Sequence, residues 1–338
     1  MNTTLENITY TAKDFASDQD VRWCPGCGDY AILKAVQNAL PHINKKRSDI
    51  VFVSGIGCSS RFPYYLNTYG FHSIHGRAPA VATGVKLTNP QLSVWQITGD
   101  GDALAIGGNH FIHALRRNVD INILLFNNEI YGLTKGQYSP TSQIGIKTKS
   151  SPFGTVDKPF NPGKLALGAD VSFYARVVDI ETKKMTDIFI EAEKHKGTSL
   201  IEILQNCVIF NDKVFDPITN KEFKNDRQIW LEHGKPMLFG KELNKGLRFN
   251  NMQLEAVTIG ENGITIDDIL VHDAKSESTV IHNLLVEMDG INLPFALGVI
   301  RQIERPTFDA MVNQQIESVR NTKKSIEQIM NAGTTWEV

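Results

Sequence analysis

Cysteine is scarce in this chain, and neither sign of charge dominates it. The 338 residues include four cysteines, and 35 lysines and arginines stand against 37 acidic residues. Secreted disulfide scaffolds are short and dense in cysteine, whereas proteins that bind nucleic acid or an anionic membrane surface carry a basic excess. The composition therefore excludes a disulfide-stapled scaffold, and we expect neither a nucleic-acid partner nor a membrane partner.

Long hydrophobic runs are missing as well. No stretch of 18 uninterrupted apolar residues occurs, so the sequence predicts no membrane-spanning helix. The N-terminus, MNTTLENITYTAKDFASDQD, lacks the apolar core of a signal peptide. We expect a cytoplasmic protein, and the length suits one large domain or two ordinary ones.

Short apolar segments alternate with helical patterns over the first two thirds of the chain. Runs typical of buried strands are DIVFVSGIG, LSVWQIT, INILLFNN and SLIEILQ. Strands that alternate with helices predict an α/β fold with a doubly wound, mostly parallel sheet. Ligands bind such sheets at the carboxyl ends of the strands, where Gly-rich turns lie at 55–58 and 99–101 and an Asn pair at 127–128. We expect these three stretches to converge on one crevice.

The helical patterns and changes of composition also predict boundaries. One helix begins at Asp29 as its N-cap, and others cover 80–89, the segment from the GDG turn to residue 118, 183–196 and 308–332. We expect three regions, namely an N-terminal arm (1–20), a main domain (21–207) and a smaller C-terminal extension (208–338). The extension begins where the sequence becomes charged and rich in turns.

The stretch GDGDALAIGGNHFIHALRRNVDINILLFNNEIYG carries the clearest chemical signal. Asp100 lies between Gly99 and Gly101, where a tight turn and free backbone amides favour an anion. Asp100 can hold a divalent cation that bridges to a diphosphate, and Asn128 and the Ile130 carbonyl can add oxygen ligands. A GDG alone is usually a plain turn. With NN at this interval, it resembles the thiamine diphosphate fingerprint of transketolases, decarboxylases and 2-oxoacid oxidoreductases, which implies that these three residues bind Mg²⁺.

The four cysteines leave several kinds of site open. Cys24 and Cys27, in a CPGC loop, suit a redox pair, but no strand precedes them and Cys58 and Cys207 stay unexplained. Structural zinc sites usually join two CxxC-like knuckles close in sequence, whereas a [4Fe–4S] cluster accepts one CxxC and two remote cysteines. From the cysteines alone, free thiols rank first, zinc second and a cluster third. Beside a thiamine site the cluster is favoured, because it can accept electrons and zinc cannot.

Five sequence blocks occur in the order of one protein family and span about residues 20–210. They are WCPGCGDY, GIGCSSR, HGRAPAVATGVKLTNP, GDGDALAIGGNHFIHALRRNVDINILLFNNEIYGLTKGQYSPTS and EILQNC. Together they resemble the β subunit of the 2-oxoacid:ferredoxin oxidoreductases, most closely the 2-oxoglutarate type. The resemblance implies that Cys24, Cys27, Cys58 and Cys207 ligate one [4Fe–4S] cluster. It also implies an α subunit that completes the active site, in an αβ or (αβ)₂ assembly, and a ferredoxin as electron acceptor.

The activity implied by the resemblance is the oxidative decarboxylation of 2-oxoglutarate with coenzyme A to succinyl-CoA and CO₂. Because ferredoxin is a low-potential acceptor, the reverse reaction would fix CO₂. The implied cofactors are thiamine diphosphate, Mg²⁺ and the cluster. The residues expected to bind cofactor are Gly57, Cys58, Ser59, His75, Gly99, Asp100, Gly101, Asp102, Asn128, Ile130, Gly132, Leu133 and Thr134.

Three residues are candidates for the catalytic site itself. Ser59 and His75 can contact cofactor phosphates or substrate, with turn capping and structural hydrogen bonding as the alternatives. Arg61 is the candidate for a distal substrate carboxylate, because arginine binds carboxylates in a bidentate manner. A surface or subunit contact is the alternative for Arg61.

Other functions remain open on the sequence alone. A non-oxidative thiamine diphosphate enzyme, with zinc or no metal at its cysteines, would be colourless and would work without an α chain. A zinc-stapled interaction protein, in which GDG and NN are plain turns, would bind no thiamine diphosphate. Within the favoured family, pyruvate or another 2-oxoacid is the alternative substrate. We expect the C-terminal extension to cover the cluster and to contact the α subunit.

Overall fold

A computed structural model describes residues 9–320, 325–334 and 336. The strands, in chain order, are β1 (Ile50–Ser54), β2 (Tyr69–His72), β3 (Ser93–Gly99), β4 (Asn122–Asn127), β5 (Phe173–Val178), β6 (Ser199–Leu204), β7 (Gln228–Leu231), β8 (Leu238–Phe239), β9 (Lys245–Asn250), β10 (Gln253–Thr258) and β11 (Phe295–Gln302). The α-helices are α1 (Asp29–Ala39), α2 (Ala78–Thr88), α3 (Asp100–Leu104), α4 (Gly108–Arg117), α5 (Pro162–Gly168), α6 (Thr182–Lys194), α7 (Asp216–Thr219), α8 (Lys224–Arg227), α9 (Val280–Glu287), α10 (Phe308–Arg320) and α11 (Ile326–Met330).

A large, mostly parallel sheet organises the molecule. Its strand order is β2-β1-β3-β4-β6-β5-β11-β7, and the first six strands run parallel. β11 pairs antiparallel with β5, and β7 pairs parallel with β11. A second, antiparallel sheet has the order β10-β9-β8. The predicted α/β fold with a mostly parallel sheet is confirmed.

Helices cover both faces of the large sheet, which makes the fold doubly wound. Along β4, Ile123 and Leu125 belong to one buried apolar cluster, while Leu124 and Phe126 belong to another on the opposite face. Helices α2, α4, α5 and α9 contribute to the first cluster, and α1 and α6 contribute to the second. A central strand that is buried on both faces has a continuous apolar sequence. For this reason the sequence INILLFNN predicts a buried strand.

The structure corrects some local expectations. The single helix expected after the GDG turn is two helices, α3 and α4, because the backbone leaves the helical region at Ala105 and resumes at Gly108. α1 has Gly28 at its N-cap, so Asp29 is its first residue and not the cap. The helix expected over 308–332 is present as α10 and α11, and residues 321–324 lie outside the described residues.

The segment after residue 207 contributes to both sheets. β7 and β11 extend the large sheet, while β8, β9 and β10 form the small one. The large sheet therefore continues past the predicted boundary at 207. Residues 1–8 of the predicted N-terminal arm lie outside the described residues. In the part of the chain that is described, none of the helices combines the length and apolar character that crossing a membrane requires.

Candidate active site

The carboxyl ends of four neighbouring strands meet at one cavity. β1, β3, β4 and β6 are adjacent and parallel, so the loops that follow them lie at the same edge of the sheet. These loops enclose a cavity of about 560 Å³. Its walls include the whole set predicted to bind cofactor, namely Gly57, Cys58, Ser59, His75, Gly99, Asp100, Gly101, Asp102, Asn128, Ile130, Gly132, Leu133 and Thr134.

Asp100 is buried at the cavity wall and is held by two hydroxyl groups. Ser139 Oγ and Thr141 Oγ1 donate to Asp100 Oδ2 at 2.5 and 2.6 Å. Burial raises the pKa of the Asp100 carboxyl to about 6, although both hydroxyls act to lower it. The carboxylate is therefore oriented by the loop at 139–141 and lies in surroundings that favour a nearby cation.

The two asparagines after β4 face different partners. Asn128 lines the cavity, donates through Nδ2 to Gln205 Oε1 at 2.8 Å, and accepts from the Ile130 amide at 3.2 Å. Asn127 is buried and turns into the sheet, where its Nδ2 donates to Glu202 Oε1 at 2.8 Å. Only Asn128 of the pair lines the cavity, as the fingerprint predicts for a cation ligand.

Asp102 is buried and is bonded by several protein donors. The Ile56 and Gly76 amides donate to its Oδ1 at 3.1 and 2.8 Å, and the Thr98 hydroxyl donates to Oδ2 at 2.7 Å. His75 Nδ1 lies 2.6 Å from Oδ1, a contact in which Nδ1 donates to the carboxylate. Asp102 thus joins the loop after β1, the loop before α2 and the GDG turn, and orients His75.

The four cysteines line a second, smaller cavity of about 200 Å³. Cys24 and Cys27 lie in the loop before α1, which is tied to the end of β6 through Gln205 Nε2 to Cys27 Sγ at 3.4 Å. A Cβ placed on Gly132 would lie 3.5 Å from the sulfur atoms of both Cys58 and Cys207. The Trp23 indole donates to the Cys58 carbonyl at 2.7 Å. All four are free thiols.

The thiols surround this cavity and do not meet at one point. Among the described residues, no three His, Cys, Asp or Glu side chains are placed to hold a single metal ion. Burial raises the pKa of the Cys58 thiol to about 12 and also raises that of Cys27. Such thiols stay protonated unless a positively charged centre replaces the proton.

Arg61 lies outside the main cavity, in the wall of a neighbouring one. That neighbour, of about 460 Å³, is lined by Arg22, Tyr64 and His72 as well, and it shares Ile56, Gly57 and Leu133 with the main cavity. Arg61 also lines the cysteine cavity, and its Nη1 donates to the Arg22 carbonyl at 3.4 Å. Ser59, in contrast, is buried at the wall of the main cavity.

Several residues at the site were not identified from the sequence. Tyr131 and Gln205 line the main cavity, and the Tyr131 hydroxyl donates to the Gly101 carbonyl at 3.0 Å. Asp29, interpreted as a helix cap, is buried at the same wall, where burial raises its pKa to about 7. Ser139 and Thr141 stand in one of the quoted blocks, but Ser and Thr in a loop commonly serve turns, so the pattern gave no reason to assign them.

Comparison with known proteins fits this geometry. Residues 55–203 match the family described as "Thiamine pyrophosphate enzyme, C-terminal TPP binding domain". The chain is 51% identical over 331 residues to "2-oxoglutarate oxidoreductase subunit KorB" of Mycobacterium tuberculosis, covering 96% of this chain and 88% of that protein. It is 47% identical over 210 residues to "2-oxoacid:ferredoxin oxidoreductase 1, subunit beta" of Aeropyrum pernix, covering 62% of this chain and 64% of that one.

A solved structure is also similar over nearly the whole chain. It is the 2-oxoglutarate:ferredoxin oxidoreductase from Magnetococcus marinus with 2-oxoglutarate, coenzyme A and succinyl-CoA bound, with a TM-score of 0.76 and 29% sequence identity. The match covers 98% of both chains.

The fold and the cavity at the strand ends define a thiamine diphosphate-binding domain. Within that class, the chain belongs to the family of β subunits of the 2-oxoacid:ferredoxin oxidoreductases. The family that the five sequence blocks resemble is confirmed, and so is the enzyme class that the resemblance implies.

Proposed function

We propose that this chain is the β subunit of an enzyme that oxidatively decarboxylates 2-oxoglutarate with coenzyme A and passes the electrons to ferredoxin. The observation that carries the proposal is a shared wall between two cavities. Cys58, Asn128, Gly132, Leu133 and Gln205 line both the main cavity and the cysteine cavity. A cofactor that releases electrons in the first cavity would therefore be next to an acceptor held in the second.

The main cavity fits thiamine diphosphate and Mg²⁺. Asp100, Asn128 and the Ile130 carbonyl offer oxygen donors of the kind that Mg²⁺ prefers, and all three residues line the cavity. When bound, thiamine diphosphate supplies the nucleophilic and electron-accepting centre for decarboxylation of a 2-oxoacid. Tyr131 and Asp102 hold the GDG turn in place, and Asp102 orients the His75 ring at the cavity wall.

The cysteine cavity fits a cluster better than a single ion. Four thiols line a space of about 200 Å³, and cysteine ligands to one zinc would lie about 2.3 Å from the same point. Cys24, Cys27, Cys58 and Cys207 would be the ligands of a [4Fe–4S] cluster, which would carry single electrons. Gln205 would donate to the Cys27 sulfur, a hydrogen bond of the kind that tunes cluster potential.

The neighbouring cavity with Arg61 supports a dicarboxylic substrate. Arg61 and Arg22 line this cavity together with Asp20, one wall away from the cofactor cavity, where the distal carboxylate of 2-oxoglutarate would reach. The Magnetococcus marinus enzyme has 2-oxoglutarate, coenzyme A and succinyl-CoA bound. Ser59 and His75, at the wall of the main cavity, would contact the reacting end of the substrate or the cofactor.

Exposed apolar side chains support the α subunit as a partner. Tyr69 and Phe71 on the edge strand β2 are exposed, and so are Ile74, which precedes the cavity residue His75, and Ile106, whose carbonyl accepts from Arg77. Exposed apolar patches of this kind mark interaction surfaces, and the relatives are named as β subunits. We propose an αβ or (αβ)₂ assembly in which α covers the open side of the cavity, with ferredoxin as the external acceptor.

The test separates the two cofactor sites with two single variants. Cys207→Ser should lose or degrade the cluster but still bind thiamine diphosphate, whereas Asp100→Asn should keep the cluster and lose Mg²⁺-dependent binding. The measurements are an anaerobic absorption spectrum with iron and sulfide counts, and a thiamine diphosphate titration of the αβ complex. We expect a brown protein with about four irons per chain.

A colourless protein with zinc, after careful anaerobic preparation, would exclude the oxidoreductase function. Thiamine diphosphate binding that survives Asp100→Asn unchanged would place the cofactor elsewhere.

A further inference from the structure

A chain of buried polar side chains connects the middle of the sheet to Asp100. Glu202 on β6 accepts from Asn127 Nδ2 at 2.8 Å, and Asn127 Oδ1 accepts from the Thr141 hydroxyl at 3.0 Å. The same Thr141 oxygen lies 2.6 Å from Asp100 Oδ2, so its one hydroxyl proton is shared between Asp100 and Asn127. All four side chains are at least nine-tenths buried, so water does not compete for these contacts.

Glu202 is itself fixed from the other side. Arg176 on β5 donates through Nε to Glu202 Oε2 at 2.9 Å, and the Tyr174 hydroxyl donates to the same oxygen. The Arg176 guanidinium lies 4.5 Å from the centroid of the Phe295 ring on β11. A buried carboxylate that is this fully bonded cannot rotate without breaking several hydrogen bonds.

The two oxygens of Glu202 determine which way the side-chain amide of Asn127 points. One oxygen accepts from Arg176 and Tyr174, so the other must accept from the amide nitrogen of Asn127. The Asn127 oxygen therefore faces Thr141, which places the Thr141 hydroxyl between Asn127 and Asp100. A carboxylate is needed for this, because an amide at 202 offers only one accepting atom.

We propose that Glu202 and Asn127 are positioning residues for the cation site, acting through Thr141 on the orientation of Asp100. The inference rests on the proposed Mg²⁺ site at Asp100. It gives a role to Asn127, the member of the NN pair that does not line the cavity. Residues that orient a metal ligand commonly change metal affinity 10- to 100-fold when they are removed.

The test measures Mg²⁺ affinity rather than turnover. In the αβ complex, stripped of cofactor, Glu202→Gln should weaken Mg²⁺ binding about tenfold in the presence of thiamine diphosphate, as followed by calorimetric titration. Saturating Mg²⁺ should restore thiamine diphosphate binding, because the ligands themselves are intact. A double variant with Thr141→Val should lose little more than Thr141→Val alone, since both act on one chain of contacts.

The chain offers a matched control at the other end of β4, where a glutamate of α6 accepts from a β4 asparagine. Glu193 accepts from Asn122 Nδ2 at 2.6 Å at the amino end of β4, the same type of pair at the end remote from the cavity. Glu193→Gln should leave Mg²⁺ affinity within twofold of the unmodified protein. If Glu202→Gln has no larger effect than Glu193→Gln, or if the effects of Glu202→Gln and Thr141→Val add in full, the inference is wrong.

Two further variants cover the remaining outcomes. If Glu202→Gln does not fold, because Arg176 loses its partner, Asn127→Leu breaks the same chain while keeping the ion pair, and its Mg²⁺ affinity decides by the same criterion. Asp100→Asn should abolish Mg²⁺ binding. If it does not, the proposed cation site itself is wrong, and the positioning role is overturned with it.

Discussion

Among single residues, Arg61 is set apart because it does not line the cofactor cavity. It lines the neighbouring cavity with Arg22 and His72, across a wall formed by Ile56, Gly57 and Leu133. A second carboxylate on the substrate is what separates 2-oxoglutarate from pyruvate. In the proposed function, an arginine in this neighbouring cavity would decide between the two substrates without taking part in decarboxylation.

Replacement of Arg61 should change substrate preference rather than chemistry. Arg61→Met should raise the KM for 2-oxoglutarate about 10- to 100-fold, because a charge-assisted hydrogen bond contributes about 1.5–3 kcal/mol. The KM for pyruvate should stay nearly constant. Steady-state kinetics of ferredoxin reduction with both substrates would check this.

Arg61→Lys is the control, since it keeps the charge but loses the planar fork of the guanidinium group. Its KM for 2-oxoglutarate should lie between those of the unmodified enzyme and Arg61→Met. Equal losses with both substrates would contradict a role in binding the distal carboxylate.

Among single residues, the sequence predicted those that belong to a motif or to one of the five sequence blocks. Asp100 and Asn128 were predicted from the spacing of GDG and NN, and the four cysteines from the family resemblance. The structure places all six at two adjoining cavities. Glu202 and Thr141 were not found, because their importance lies in contacts between residues far apart in the chain. No local pattern records which buried carboxylate faces which amide.

Among the secondary-structure elements, the short helix α3 is shaped by close packing at Gly101. A Cβ on Gly101 would lie 2.1 Å from Tyr131 Cε1, and the Tyr131 hydroxyl donates to the carbonyl of the same glycine. Gly84, inside α2, has nothing within 4 Å of the corresponding position. A side chain would therefore collide with Tyr131 at position 101, whereas position 84 has room for one.

Alanine should destabilise one helix and stabilise the other. Gly101→Ala must displace Tyr131, so we expect a loss of about 1–3 kcal/mol in the free energy of unfolding and weaker thiamine diphosphate binding. Gly84→Ala should gain about 0.5–1 kcal/mol, because alanine is the better helix former and finds open space. Urea denaturation of both variants, with a cofactor titration, measures these effects. A Gly101→Ala protein as stable as the unmodified one would contradict the packing argument.

The elements missed from the sequence share a physical reason. β5 has Arg176 near its centre, and a charged residue argues against a strand buried on both faces. The charge is balanced by Glu202 on the neighbouring strand, which the sequence of β5 cannot reveal. β7 and β11 join the large sheet only through partners distant in the chain. In contrast, β1, β3 and β4 are apolar runs, and β6 was predicted as a strand in spite of Glu202.

For the whole molecule, the exposed apolar side chains around β2 define the surface that we assign to the α subunit. Ile74 is 75% exposed, and it follows an edge strand that also exposes Tyr69 and Phe71. Ile291 is exposed to a similar degree, 70%, in the turn before β11. The pair offers a comparison between the proposed interface and a surface elsewhere.

A charge at the proposed interface should weaken assembly alone. Ile74→Asp should reduce α–β association at least tenfold, because an unpaired carboxylate would be buried in the complex. Iron content and far-UV circular dichroism of the β chain should not change. Ile291→Asp should assemble normally, as followed by analytical ultracentrifugation. Normal assembly of the Ile74→Asp protein would move the interface away from β2.

The pairing of β11 with β5 has a consequence for the way this protein is made. On its outer edge β5 is covered by β11, which lies more than one hundred residues later in the chain. At ribosomal rates of about 5–20 residues per second, that edge waits roughly 6 to 23 seconds for its partner. Once residue 207 has been made, early in this interval, the nascent chain holds all four cysteines and both halves of the thiamine motif, yet it presents an open strand to its neighbours. Completion of the sheet must therefore follow the synthesis of residue 302, almost one hundred residues after the last of the proposed cofactor ligands has been made.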